Sequence, residues 1–101
     1  MGFGQIFRPL NGGGAKLSVT DVNQSVAIQQ TKGSIVLTNL GTKVCFVRIT
    51  DGTSVAVLDA DYVVSPGMQV VLDVRHTDSH ISCICASAET TDLHYIVGSG
   101  I

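Results

Sequence analysis

The chain has 101 residues, 45% of them apolar and only 14% charged, with a formal net charge of −2. One domain is expected at this length. The low charge excludes intrinsic disorder, and six scattered Lys and Arg residues form no basic stripe for nucleic acid. Fourteen Val, eight Ile and nine Thr stand against one Glu, three Lys and six Ala. β-Branched side chains are stiff at χ1 and suit pleated sheets better than helices. No stretch of ten residues shows a 3.6-residue period with helix formers on its exposed side. The expectation is all-β.

Residues 1–14 differ from the rest of the chain. Phe3, Ile6 and Phe7 precede Arg8-Pro9, and Gly12-Gly13-Gly14 closes the segment. A triple glycine is costly to order and reads as a hinge, so 1–14 is expected as a flexible N-terminal arm on a body of residues 15–101. A frayed terminus is the plain alternative. The two phenylalanines favour docking on a neighbouring subunit or folding back over the sandwich edge. Phe3, Ile6, Phe7 and Arg8 are therefore the candidate partner-binding residues. The opening has no run of seven apolar residues, so no signal peptide is expected. No apolar stretch approaches 18 residues, so no membrane span is expected.

From residue 15, short β runs alternate with turn signals. Strands are expected at Lys16–Val22, Ser25–Gln29, Ser34–Asn39 and Lys43–Thr50. In the last of these, Val44, Phe46 and Arg48 oppose Cys45, Val47 and Ile49. Asp51-Gly52 suits a type I′ hairpin turn, with Thr53–Leu58 returning antiparallel. Tyr62–Val64 follows, then Ser65-Pro66-Gly67 as a tight turn with Pro at i+1 and Gly at i+2. Gln69–Val74, His80–Ala86 and Leu93–Val97 complete the set. Eight to nine short strands about ten residues apart predict a single-domain antiparallel β-sandwich, jelly-roll or Ig-like.

Chemistry is thinly supplied. His76, Asp78 and His80 form His-x-Asp-x-His in a polar loop. Imidazole and carboxylate suit Zn²⁺, but this spacing gathers side chains on a helix, and here it falls between strands. Asp78 bonding its own backbone is the preferred reading. Cys83 and Cys85 share a strand face with Ile81 and, like Cys45, read as small buried hydrophobes. They are expected to be thiols made in a reducing cytosol. There is no Gly-x-Ser-x-Gly elbow, P-loop or dinucleotide fingerprint. Five aromatics without Trp supply no stacking platform. No enzyme, cofactor or metal is expected.

A short chain of Val/Thr/Ser-rich strands, with an N-terminal arm and a last strand ending Tyr95-Ile96-Val97-Gly98-Ser99-Gly100-Ile101, resembles small virion proteins of tailed bacteriophages. Several of those are β-sandwich or jelly-roll decoration (cement) proteins. The resemblance implies a non-enzymatic protein, made in the host cytoplasm, that binds the major capsid protein lattice on the outside of the head and stabilises it. The residues are consistent with this. Few surface charges and Val-rich edges without Lys gatekeepers suit a chain whose surface is covered by partners, including copies of itself. A neck, tail or fibre component is a related reading. A small carbohydrate-binding or adhesion domain is a further alternative, with Tyr62, Asn23 and Gln24 as its candidates. A metal-dependent enzyme at His76 is the third.

Overall fold

The computed structural model describes residues 7–29 and 33–99. It contains eight strands: β1 (Arg8–Val19), β2 (Gln24–Ala27), β3 (Gly33–Asn39), β4 (Cys45–Thr50), β5 (Tyr62–Val64), β6 (Gln69–Val74), β7 (His80–Cys85) and β8 (Thr91–Ser99). They form two four-stranded sheets, ordered β1-β8-β3-β6 and β2-β7-β4-β5. Every neighbouring pair is antiparallel. The pairs β1·β8, β2·β7, β3·β6 and β4·β5 lie side by side, as in a doubled ribbon wound alternately through both sheets. The sandwich is therefore a jelly roll rather than Ig-like.

Period-two alternation places the core between the sheets. Ile35 and Leu37 of β3, Leu93 and Val97 of β8, and Val47 and Ile81 of β4 and β7 are almost completely buried. Cys45, Cys83 and Cys85 join this core at 0% exposure, as small apolar groups. Asn39 closes one end. Its Nδ2 donates to Lys43 O (2.8 Å) and Val64 O (2.9 Å). Its Oδ1 accepts from Gly41 N (3.0 Å) and Thr91 Oγ1 (2.7 Å). One side chain thus ties the end of β3 to the following loop, to β5 of the other sheet and to β8.

Two expectations differ from the structure. Thr53–Leu58 is not a strand; β4 pairs with β5 instead. Asp51 Oδ1 accepts both Thr53 N (3.0 Å) and Thr53 Oγ1 (2.5 Å), while Thr50 Oγ1 accepts Gly52 N (3.2 Å). These local bonds turn the chain before a hairpin ladder can start. Residues 51–61 then lie over the second sheet, where Ser54 O accepts from Ser82 Oγ and Ala56 O accepts from Asn23 Nδ2.

The second difference is the N-terminal segment. Residues 8–14, expected within a flexible arm, belong to β1, where Arg8, Pro9 and Gly14 are registered with Ser99, Gly98 and Ile96 of β8. Gly13 and Gly14 serve close approach, and Gly12 supplies a left-handed backbone. The register shifts between Pro9 and Gly14, and Gly12 takes φ 76°. A Cβ on Gly13 would stand 2.9 Å from Val97 Cγ2, and one on Gly14 2.7 Å from Tyr95 O. Two of the three glycines lie in a bulge between Pro9 and Gly14 of an edge strand.

Candidate functional site

The candidate residues of the N-terminal segment divide. Phe3 and Ile6 lie outside the described residues. Phe7 is half-buried, and its ring packs on Gly98, where an added Cβ would come within 2.6 Å of Cζ. Arg8 is exposed at the start of β1. Phe7 and Arg8 therefore lie at the Gly98 end of β8.

The two sheets leave four strands at edges: β1 and β6, β2 and β5. Turn hydrogen bonds fix which backbone groups face outward. Asn39 N donates to Met68 O and Gly67 N to Asn39 O, so Asn39 faces Gly67 and Met68 as a bulge, and the Asn39 N bond to Met68 sets the phase of the ladder. Antiparallel alternation then directs Val70, Leu72 and Val74 toward β3. The N–H and C=O groups of Val71 and Asp73 point away from the sheet, and no strand pairs with this side of β6 among the described residues. Val71 also exposes its side chain (40%).

The β1 edge is treated differently. Leu40 N donates to Asp92 O, which sets the phase of β8 and turns Lys16 and Ser18 of β1 outward. Ser18 O there accepts from Gln24 Nε2 (2.7 Å), and Gly12 O accepts from Gln29 Nε2 (3.0 Å). Two glutamine side chains thus occupy acceptors that a neighbouring strand would use. Sequence reasoning missed them because a glutamine beside a β-run shows nothing of which carbonyl it will reach.

Two apolar surfaces stand outside the core. The register aligns Gly14, Ile96, Val36 and Val71 across the outer face of the first sheet. Val55, Val57, Leu58, Tyr62 and Val63 are exposed around the 51–61 loop and β5. Asp61 holds that loop, accepting from Arg48 Nε (2.9 Å) and Val57 N (2.6 Å).

The other candidates are not assembled into a reactive site. Asp78 is 3% exposed and accepts from Arg75 N (3.0 Å) and Arg75 Nε (3.3 Å), so it closes the 75–78 turn. That contact raises the Arg75 pKa. His76 is exposed, and His80 Nδ1 pairs with Ser79 Oγ at 2.7 Å. Among the described residues, no three His, Cys, Asp or Glu side chains converge on a common point. The Asn23 and Gln24 amides bond to backbone carbonyls, and Tyr62 stands exposed on β5. An open cleft of about 440 Å³ is lined by Ser18, Thr20, Thr42, Thr90, Thr91 and Asp92.

The thiols are chemically quiet. Burial, followed by the neighbouring Cys85 and Cys83, pushes Cys45 up to about 12. Burial and Cys85 push Cys83 to about 12, and burial raises Cys85 as well.

No family model matches the chain, and no curated protein matches it. Among solved structures it is similar to a chain of the Bacillus endospore appendages, which form a novel family of disulfide-linked pili. The identity is 13%, the TM-score 0.53, and the match covers 97% of this chain and 89% of that one. That likeness establishes a shared β-sandwich fold.

Proposed function

We propose that this chain is a non-enzymatic structural subunit that assembles with further copies of itself through its sheet edges, with the N-terminal segment (Phe3, Ile6, Phe7, Arg8) as a second contact. The bare edge of β6 carries the reading. It offers outward backbone groups at Val71 and Asp73 beside an exposed Val71 side chain and no lysine, an arrangement that invites strand addition. Each sheet has four antiparallel strands, so its two edges run in opposite directions. A copy placed by translation therefore brings its β1 antiparallel to β6 of its neighbour, and the contact repeats without closing. The fold neighbour is itself a pilus subunit, which supports copies of this chain as the partner. The capsid lattice implied by the sequence resemblance is the other partner under this proposal, with the virion surface as its location; no feature of the structure favours it.

Val71→Pro tests the edge. Proline removes only the outward N–H of Val71 and leaves the bonds of Val70 and Leu72 to β3 intact. Wild-type chain is expected to form concentration-dependent assemblies by light scattering, extended in electron micrographs. The variant is expected to stay monomeric with its melting midpoint within a few degrees. Wild-type chain that remains monomeric at every concentration, or a variant that assembles normally, refutes the edge as the contact.

A further inference from the structure

The three cysteines have a geometric relation to one another that assembly through the sheet edges does not use. Cys45 of β4 lies directly opposite Cys85 of β7. Cys85 N donates to Thr20 O at 2.8 Å, and Ile28 N donates to Ser79 O at 2.9 Å. Both bonds direct the odd-numbered residues of β7 toward the β2 side. Cys45↔Cys85 is therefore a non-hydrogen-bonded pair of the β4·β7 ladder, the pair type in which Cα atoms approach to about 4.5 Å and side chains are closest. That spacing lies inside the range a disulfide spans. Cys83 opposes Val47, one row away. Its diagonal to Cys45 is about 7–8 Å, beyond disulfide reach without backbone movement. All three side chains point into the core between the sheets and are 0% exposed. No sulfur can reach a second copy while the sandwich is closed, so the linkage of the appendage pili has no counterpart through these cysteines.

We propose that Cys45 and Cys85 form an intramolecular disulfide when the chain folds in the presence of a small-molecule disulfide, leaving Cys83 as the free thiol. In the reduced structure the two thiols turn to carbonyls on either side, Cys45 Sγ to Val64 O and Cys85 Sγ to Val19 O. Rotation toward each other across the ladder joins them. The exchange is balanced: the Cys45–Cys85 S–S bond forms and the S–S bond of oxidised glutathione breaks. Two electrons and the two thiol protons pass to oxidised glutathione, which leaves as two molecules of reduced glutathione. The link must close while β4 and β7 are meeting. In the finished core, burial suppresses the thiolate that exchange requires.

The test refolds the full chain from denaturant with oxidised and reduced glutathione, then alkylates it in denaturant with N-ethylmaleimide and maps the peptides. One adduct per chain on Cys83, with a Cys45–Cys85 linked peptide, is the expected result. Fully reduced chain takes three adducts. Cys83→Ala is expected to keep the link, and Cys85→Ala to leave both remaining thiols alkylated. Three adducts after oxidative refolding, a link that includes Cys83, or a mainly interchain link each overturns the proposal. The wild-type map decides the matter even where a variant fails to fold.

Discussion

Replacing Asn39 with Ala should be among the most damaging single changes in this chain. The side chain is 1% exposed and makes four hydrogen bonds. Of the groups it satisfies, Val64 O and Thr91 Oγ1 are buried, whereas Lys43 O and Gly41 N lie nearer water. Each buried group left unpaired costs about 1–3 kcal/mol. Two of them, plus lost packing, give an expected destabilisation of about 3–5 kcal/mol. That is at least a fifth of the roughly 5–15 kcal/mol that holds a small domain together. Thr91→Val serves as the calibrated partner. It removes one hydroxyl but leaves Asn39 Oδ1 bonded to Gly41 N, so its cost should be about 1 kcal/mol. Urea unfolding followed by far-ultraviolet circular dichroism measures both. With m near 1–3 kcal/mol/M, Asn39→Ala should lower the midpoint by about 1–5 M. If Asn39→Ala costs no more than Thr91→Val, the amide is not the joint between the two sheets.

Alkaline stability is a second expectation. The Cys45 and Cys83 thiols lie at about 12 in the fold against an ordinary 9.0. The unfolded chain therefore loses these protons first, and their contribution is complete below about pH 9. Between pH 9 and 12 the folded chain holds more protons than the unfolded one, so stability falls as pH rises. A Cys45→Ala/Cys83→Ala double variant should show a shallower decline in melting midpoint across that window, and an equal slope contradicts the assignment. The edge caps supply a third expectation. Gln24→Ala with Gln29→Ala uncovers Ser18 O and Gly12 O on β1 and should shorten the lag before assembly in a light-scattering time course. An unchanged lag removes the glutamines from any guarding role.

The sequence made the strands legible where one face is dry and the turn chemistry is strong. Tyr62–Val64 and Gln69–Val74 fall where their apolar runs and the turn between them place them. Gly67 takes φ 76° after Pro66, with Met68 N bonded to Ser65 O at 2.9 Å, as the Ser-Pro-Gly turn requires. Thr53–Leu58 misled because alternation reports only which side is dry. Ala56 packs inward and Val55 and Val57 outward along a loop that lies on a sheet rather than beside it. Gly12-Gly13-Gly14 misled for a related reason. A missing Cβ loosens a free chain and permits close contact in a packed one, and only the neighbours Val97 and Tyr95 distinguish the two. The candidate contact surface was half legible. The scarcity of lysine and the Val-rich runs marked exposed edges, but which edge is bare depends on strand order and ladder phase, which are long-range facts.

Strand order also bears on how copies would meet. Two β6 edges related by a two-fold axis run antiparallel, break no existing bond, and stop at a dimer. A β6 edge meeting β1 of the next copy must displace Gln24 and Gln29 from their carbonyls, at a net cost of about 0.5–1.5 kcal/mol for each bond. Strand pairing and burial of the Gly14–Ile96–Val36–Val71 row at the growing sheet offset that loss with new backbone bonds and apolar contact. Two glutamine bonds are too few to forbid head-to-tail growth but enough to delay it. A chain with one bare edge and one capped edge can remain dispersed while dilute and still extend in one direction once a first contact has formed.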